Sequence, residues 1–465
     1  MSNETGEDKL RPFSTVQLLN FCLGFFGLQF AWQMRIILSG PVTEGLGASP
    51  LIFGLIWLAG PVTGMLVQPI IGELSDKTHT IFGKRRPYLF AGALFASLAL
   101  WAFPNSATIA ENIANFLKIP VPVFGGLIIA AIMIWIIDAC VNAAQGPYRA
   151  LVPDLVPPQQ HSLANAYLSF AIGLGSVVAA GTAPFLKYVC NYQMSINAQF
   201  IMAALAFSLA MLWTCITINE RKSVKMNDSE KQDDKPNKKL SFMKKLVLFF
   251  QSSPEVGKIC TLQLFTWIGI MSLNIFFTQY AIHTVYDIPD LTTVTEEVRN
   301  SYTSLISKAT NFSSICFAIQ NLICFLVSIP IGLLSTKFGN KKVHFIALTT
   351  LSLTFVGMGL YTKPGFVLVC MAIAGIGWAS ILALPFAMLS EFIKKGSEGS
   401  VMGIFNIFIA GPQVLVCTLL AWFINQCSYT IPNGINYHWE YAFFIGAITL
   451  IIAAVITNLI KEKNN

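Results

Sequence analysis

Two stretches decide how this chain is organised: Gly72-Glu-Leu-Ser-Asp-Lys77 with Gly83-Lys-Arg-Arg86, and Gly332-Leu-Leu-Ser-Thr-Lys337 with Phe338-Gly-Asn-Lys-Lys342. Each closes an apolar run with a glycine-framed turn and a basic cluster. Glycine permits a tight reversal between antiparallel helices, and Lys and Arg anchor to anionic lipid at a membrane surface. Asp76 can cap a neighbouring helix N-terminus or pair with a cation. A second match aligns Pro147-Tyr-Arg-Ala-Leu151 with Pro385-Phe-Ala-Met-Leu389, and the same offset carries Phe170 onto Phe408 and Gly173 onto Gly411. Matches at equivalent points in each half point to a duplicated 6+6 architecture around a central cavity.

The composition agrees. Of 465 residues, 54% are hydrophobic and only 11% charged, against about 25% charged in soluble chains. Twelve membrane helices of about 20 residues each would use nearly all of the apolar residues. Twelve such runs are readable: Val16 to Leu38, Leu51 to Ile71, Tyr88 to Ala107, Val123 to Leu151, Leu163 to Tyr188, Ala198 to Ile218, Val256 to Tyr286, Lys308 to Leu334, Val343 to Leu360, Phe366 to Phe392, Val401 to Asn425 and Trp439 to Ile460. No cleavable leader is expected, because the first residues are polar and the first run is long.

Charge placement sets the expected topology. With both termini cytoplasmic, 24 of the 30 Lys and Arg residues fall in inner segments, as positive residues should. The net charge of +7 is then a topology signal, and a nucleic-acid partner is not expected. The expected division is a cytoplasmic tail over 1–14, a six-helix bundle over 15–218, a cytoplasmic linker over 219–255, a second bundle over 256–460 and a tail over 461–465. Within the linker, Lys238 to Phe250 sets Leu240, Met243 and Leu246 against Lys239, Lys244 and Lys245, a pattern that allows a helix lying on the membrane. The ten cysteines include Cys22, Cys140, Cys260, Cys316 and Cys370 inside apolar runs, and only Cys190 and Cys427 lie where an outer disulfide could form. No CxxC motif or Cys/His cluster suggests a metal, and the five His residues form no catalytic set with Ser and Asp. An enzyme and a cofactor are therefore not expected.

Charges inside a span are costly and mark function. Asp138, Asn142, Gln145 and Arg149 are spaced 4, 3 and 4 apart, which puts them within roughly 60° on one face of the fourth helix. The tenth helix has Ile376, Ser380, Ala383 and Ala387 at the matching positions. The duplication kept the helix and lost the charges. Asp138 reads as the single carboxylate well inside a span. Such a group can take a proton on one side and release it on the other, whereas sodium needs several oxygen ligands. Arg149 is about 16 Å away along a straight helix, too far to pair directly, but a kink at Pro147, water or a change of carrier state could connect the two. Arg149 would then stabilise ionised Asp138 unless substrate engages one of them, which is a coupling device.

Arg35 is the third intramembrane charge. It either snorkels to the outer interface from the end of the first span or faces the cavity. Gln29, Trp32 and Gln33 form a neighbouring polar and aromatic face. In the second half Gln263, Trp267 and Asn274 share a face of the seventh helix. Trp beside amides suits a sugar, because its C–H face stacks on a ring while hydroxyls pair with amides. Helix–helix hydrogen bonding is the alternative for each amide.

At these residues the chain resembles the glycoside-cation symporter branch of the major facilitator superfamily, the sucrose/H+ symporters and their bacterial sugar-transporter relatives. The matching text is Gln29-Phe-Ala-Trp32, Ile56-Trp-Leu-Ala-Gly-Pro61, Gly64-Met-Leu-Val-Gln-Pro-Ile70, Ser75-Asp76 with Phe82-Gly-Lys-Arg-Arg-Pro87, and Asp138 followed by Gln145-Gly-Pro-Tyr-Arg-Ala-Leu151. The second half matches more thinly, at Thr266-Trp-Ile-Gly269 and Gly375-Ile-Gly-Trp378. The resemblance implies an all-α membrane protein of the major facilitator fold, with twelve helices in two pseudo-symmetric bundles. It further implies proton-coupled import of a disaccharide, sucrose- or maltose-like, by alternating access. Asp138 would carry the proton with Arg149 as its partner. Gln29, Trp32, Gln33, Arg35, Trp57, Asn142, Gln145, Trp267 and Asn274 would meet the sugar, and Gly72, Asp76, Arg85 and Arg86 would gate the inner face. Plant members carry acids and an Arg at the outer end of the seventh helix, where this chain has Phe277, Gln279, His283 and Thr284, and a Gln where it has Arg35. Arg35 leaves room for an organic anion as cargo. A non-transporting sensor would have no need of Asp138. The expected setting is a bacterial inner membrane, with a sugar, a proton and lipid as partners and a monomer as the working unit.

Overall fold

The computed structural model describes residues 12–157, 160–218, 220, 254–290, 292, 295–390, 392, 398–431 and 434–461. Most of the expected N-terminal tail, nearly all of the linker with its surface helix Lys238 to Phe250, and Lys394 and Lys395 lie outside these residues. In chain order the helices are α1 Thr15–Gly45, α2 Pro50–Trp57, α3 Ala59–Lys77, α4 Arg86–Ala102, α5 Ser106–Leu117, α6 Gly125–Leu155, α7 His161–Tyr188 and α8 Ile196–Thr217. They continue as α9 Pro254–Tyr280, α10 Glu296–Phe338, α11 Asn340–Leu360, α12 Pro364–Ser390, α13 Glu398–Leu415, α14 Ala421–Gln426 and α15 Tyr441–Leu459. Among the described residues these make 12 segments long and apolar enough to cross a membrane. α2 and α3 share the second span, and α13 and α14 share the eleventh.

The same pairings recur in both halves. In the first, α1 packs on α7 and α8, α4 on α6 and α8, and α3 on α6. In the second, α9 packs on α13 and α15, α11 on α12 and α15, and α10 on α12. The loop that suggested duplication keeps its local bonding too. Ser75 Oγ donates to Gly72 O at 2.8 Å, and Ser335 Oγ donates to Gly332 O at 2.8 Å. Leu66, Leu98, Leu209, Ile329, Leu353 and Val455 are exposed on helix faces that polar residues avoid, as a surface bathed in lipid requires.

The first described turn and the last lie at one face. Phe13 N donates to Gln160 Oε1 at the start of α7 (2.7 Å), and Lys461 N donates to Glu255 Oε2 at the start of α9 (2.7 Å). This is the termini face, and the opposite one is the far face.

Three differences from the sequence reading matter for the site. The first span does not stop near Leu38 but continues through Ser39-Gly40-Pro41 to Gly45. Thr43 Oγ1 donates to the carbonyls of Ser39 (2.8 Å) and Gly40 (3.1 Å), which supports the helix around Pro41. The eighth span begins at Glu296, not Lys308, because α10 is 43 residues long, about 65 Å, and its polar first turns project beyond an apolar layer of about 30 Å. On the far face the chain adds α5 and a hairpin, β1 Ser428–Ile431 with β2 Gly434–Tyr437 in register Ser428 to Tyr437. Cys190 and Cys427 are both free thiols.

Candidate substrate and coupling site

Asp138 sits on α6, sealed from solvent, and its Oδ2 accepts a hydrogen bond from Arg35 Nη2 at 2.5 Å. Arg35 is therefore the partner of Asp138, and the expected Arg149 is not. The reason is depth. Arg35 lies ten residues, about 15 Å, from the far end of α1, and Asp138 lies thirteen residues, about 20 Å, from the far end of α6. The two antiparallel helices bring them to one level, whereas Arg149 is eleven residues down the same helix. The lengthened first span also removes the snorkelling reading, since the Arg35 side chain is 1% exposed. Arg149 is exposed at the termini end of the polar stripe, with its guanidinium 5.7 Å from the centre of the Phe25 ring.

Aromatic rings frame the pair. The Arg35 guanidinium lies 4.4 Å from the Trp57 ring centre and 5.2 Å from that of Trp32, a cation–π setting that partly replaces lost hydration. Gly60 borders the pair: a Cβ there would stand at ordinary contact distance, 3.6 Å, from Asp138 Oδ2. Arg35 Nε, Asp138 Oδ1 and Trp57 Nε1 have no hydrogen-bond partner among the described residues. Buried polar atoms of this kind are rare without a functional reason.

Below Asp138 the stripe is knitted to α3. Asn142 Nδ2 donates to Thr63 Oγ1 (2.9 Å), and Gln68 Nε2 donates to Asn142 Oδ1 (2.6 Å) and Gln145 Oε1 (3.0 Å). Asn142 and Gln145 were expected on the sugar, and in this state Thr63 and Gln68 hold them. Gln68 stands in the motif Gly64 to Ile70, yet sequence reasoning assigned it no role. An amide set within an apolar run is the signal that could have found it.

Gln33 Oε1 accepts from Asn321 Nδ2 on α10 at 3.5 Å, so it spans the two halves, and its Nε2 is unpartnered. Gln29 is half-buried, with its Cβ near Gly175 of α7. In the second half Trp267 packs edge-on to Trp378, with ring centres 5.9 Å apart, and its Nε1 is unpartnered. Gln263, one turn earlier, is fully buried, and neither amide atom has a partner among the described residues. Asn274 only donates to Met271 Sδ at 3.8 Å.

The loop expected to gate the inner face is organised around Arg85 rather than Arg86. Arg85 meets Asp76 Oδ1 (2.5 Å), Asp154 Oδ2 (3.0 Å) and Ser75 Oγ (2.5 Å), while Lys84 Nζ meets Asp154 Oδ1 at 3.1 Å. Arg86 instead offers its backbone N–H to Glu220 Oε1 (2.9 Å), and Glu220 Oε2 takes the N–H groups of Lys84 (2.7 Å) and Arg85 (2.9 Å). A carboxylate thus caps the N-terminus of α4, where the helix dipole favours it. Gly83, at φ 105°, gives the carboxylate room: a Cβ there would come within 2.5 Å of Glu220 Oε2. Gly72 contributes the carbonyl that holds Ser75.

At the far face the halves interlock. Phe53 meets Phe276 with ring centres 6.4 Å apart, and Gln193 Nε2 donates to Ser307 Oγ at 2.7 Å. A Cβ on Gly54 would come within 2.3 Å of Ala421 Cβ and Cys417 O. Glu44 Oε2 accepts from Gln279 Nε2 (2.7 Å) and contacts His283 Nε2 (2.9 Å). Glu44 is 4% exposed, so Asp138 is not the only carboxylate buried within a span. Sequence reasoning missed it because the first span was ended seven residues too soon. The structure is closed at the far face.

Comparison with known proteins places this geometry in a class. Residues 26–295 match the family described as MFS/sugar transport protein, and residues 301–463 match the Major Facilitator Superfamily. The chain belongs to the major facilitator superfamily and is a sugar transporter of it, a multi-pass integral membrane protein and not an enzyme by its family. It is 26% identical over 424 residues to the sucrose transport protein SUT2 of Oryza sativa subsp. indica, covering 84% of this chain and 83% of that one. It is 30% identical over 247 residues to the sucrose transport protein SUC3 of Arabidopsis thaliana, covering 50% and 41%. Among solved structures it resembles a point mutant of the nucleoside transporter NupG, with a TM-score of 0.68 at 14% identity over 96% of this chain and 100% of that one. It also resembles a D-xylose-proton symporter, with a TM-score of 0.63 at 15% identity over 96% and 97%. At these identities the structures speak for the fold alone.

Proposed function

We propose that the protein is a proton-coupled sugar symporter, importing a sucrose- or maltose-like glycoside through a bacterial inner membrane with both termini cytoplasmic. The observation that carries this reading is the sealed Arg35–Asp138 pair. A proton arriving at Asp138 removes the carboxylate charge and releases the guanidinium, which then has hydrogen-bond donors to offer a sugar held between Trp32 and Trp57. Loss of the proton draws Arg35 back and withdraws those donors. Sugar and proton thus favour the same arrangement, and their binding is reciprocally coupled. The unpartnered amide and indole groups of Gln33, Gln263 and Trp267 supply neutral hydrogen-bonding capacity suited to hydroxyls. Arg35 is already neutralised by Asp138, so an organic anion would compete with a carboxylate for the same cation. The family supports a transporter over a sensor.

The test is uptake into proteoliposomes under an imposed pH gradient, with sucrose, maltose and a panel of organic acids, for the wild type and Asp138→Asn. The expected result is sugar accumulation by the wild type, and by the variant only downhill movement and exchange. Accumulation against a gradient by the variant would remove Asp138 as carrier, and movement of an acid but no sugar would overturn the substrate class.

A further inference from the structure

The far-face closure contains a titratable pair that Asp138 does not touch, and we infer that Glu44 and His283 form a second proton-binding site, whose proton latches the far gate shut. The inference rests on the alternating closure of a transporter but not on Asp138 as the carrier.

The proton is read from hydrogen-bond geometry. His283 Nδ1 lies 2.9 Å from the carbonyl of Ile288, and a carbonyl only accepts, so Nδ1 carries a hydrogen. Nε2 lies 2.9 Å from Glu44 Oε2. With Nδ1 protonated, that contact is a hydrogen bond only if one further proton sits between nitrogen and oxygen. Imidazolium with carboxylate and imidazole with carboxylic acid both satisfy it. Without the proton, a lone pair would face a carboxylate inside a closed interface. Gln279 Nε2 donates to the same oxygen at 2.7 Å, so the acceptor side is fixed by an amide that cannot itself titrate.

The pair is placed for gating. Glu44 is on α1 of the first half, and His283 follows α9 of the second, so the bond exists only while the far face is closed. Glu44 lies in the last turn of α1, where the helix dipole disfavours an anion, and a cation across the interface relieves that cost. His283 stands in a π-helical segment, Ala281–Val285, the kind of interruption that re-aims a side chain at functional sites. Trp439 stacks on the imidazole with ring centres 5.7 Å apart at 17°, and Asn436 Nδ2 holds the His283 carbonyl at 3.1 Å. Other charged or titratable groups bear on the pair from every side. Asp290 follows in the loop, its carboxyl pushed up by burial and then by Glu44, while Tyr437 approaches on β2. From α10 come Arg299, donating to Gly45 O at 3.3 Å, Tyr302 packed near Ile282, and Lys308, 5.9 Å from the Tyr286 ring centre.

When the gate opens, both groups face the far-side medium. The proton is taken up from that side on closing and returned to it on opening, so it gates without crossing the membrane. Acid on the far side favours closure, and the gate loosens as the pair deprotonates.

Hydrogen–deuterium exchange of the full-length protein in lipid nanodiscs tests this, over about pH 5.5 to 8.5, the range of histidine titration. The readout is protection of peptides covering 36–46 and 276–288, after the intrinsic pH dependence of exchange is divided out. The wild type should lose protection by about 10-fold or more as pH rises. The double variant Glu44→Gln with His283→Gln, or His283→Gln alone if the double variant does not purify as a single species, should lose the pH step. Asp138→Asn should keep it, so failure of the gate and failure of the carrier are read separately. A flat wild-type profile, a step that survives in the gate variants, or a step abolished by Asp138→Asn would overturn the inference.

Discussion

Arg35 Nη2 and Asp138 Oδ2 stand 2.5 Å apart between α1 and α6, with neither side chain in contact with solvent. A buried ion pair contributes little net stability, because desolvation offsets attraction, but removing one partner leaves a buried charge uncompensated. Each side chain is therefore held in place by the other rather than by solvent.

Asp138→Asn should lower the stability of the detergent-solubilised protein by about 3 kcal/mol, and adding Arg35→Gln should recover most of the loss. Thermal unfolding of the single and double variants measures this. Additive losses would mean that the two residues act independently.

Arg149 stands apart from this pair, with its guanidinium over the Phe25 ring. Arg149→Gln should cost less than about 1 kcal/mol, and it should leave the coupling of sugar to protons in place. Arg35→Gln should uncouple them. Measuring the sugar-driven alkalinisation outside proteoliposomes for the two variants separates these roles.

Gly54 is the tightest point of the far closure, and Gly54→Leu has no room beside Cys417 and Ala421. The variant should fold, since a far-open state separates those surfaces, yet its uptake should fall by about 10-fold or more. Exchange protection at 50–57 and 416–424 should fall with it. Normal uptake would show that these helices do not need to meet.

Asp290 lies outside the spans with its carboxyl held above the usual range, first by burial and then by Glu44. Such a group binds its proton more tightly folded than unfolded, so the wild type is more stable in acid and loses that contribution as pH rises through the folded value. Asp290→Asn keeps the acceptor for Thr292 N, now at 2.7 Å, and should remove this part of the decline. Melting temperatures across pH for both proteins test the sign.

Much of the fold was legible because membrane insertion imposes a coarse code: long apolar runs, basic loops and a repeated turn. The same code misled at helix ends. Ser39, Gly40 and Pro41 resemble a terminus, but Thr43 bonds the carbonyls of Ser39 and Gly40 and the helix runs on to Gly45. The polar first turns of α10 and the β1–β2 hairpin carry no long apolar run, so hydropathy has no hold on them.

At the site, helical periodicity was enough to align Asp138, Asn142, Gln145 and Arg149, and chemistry was enough to single out Asp138. Both are properties of one helix, and a sequence carries them openly. Which residue answers Asp138, which amides Thr63 and Gln68 occupy, and where Glu44 meets His283 depend on how separate helices are set in depth and rotation. Packing settles that, since a shift of one turn, about 5.4 Å, would break every one of these contacts while leaving each helix unchanged. The sequence determined the class of fold and singled out the Asp138 carboxylate; the tertiary structure decided that Arg35, and not Arg149, pairs with it.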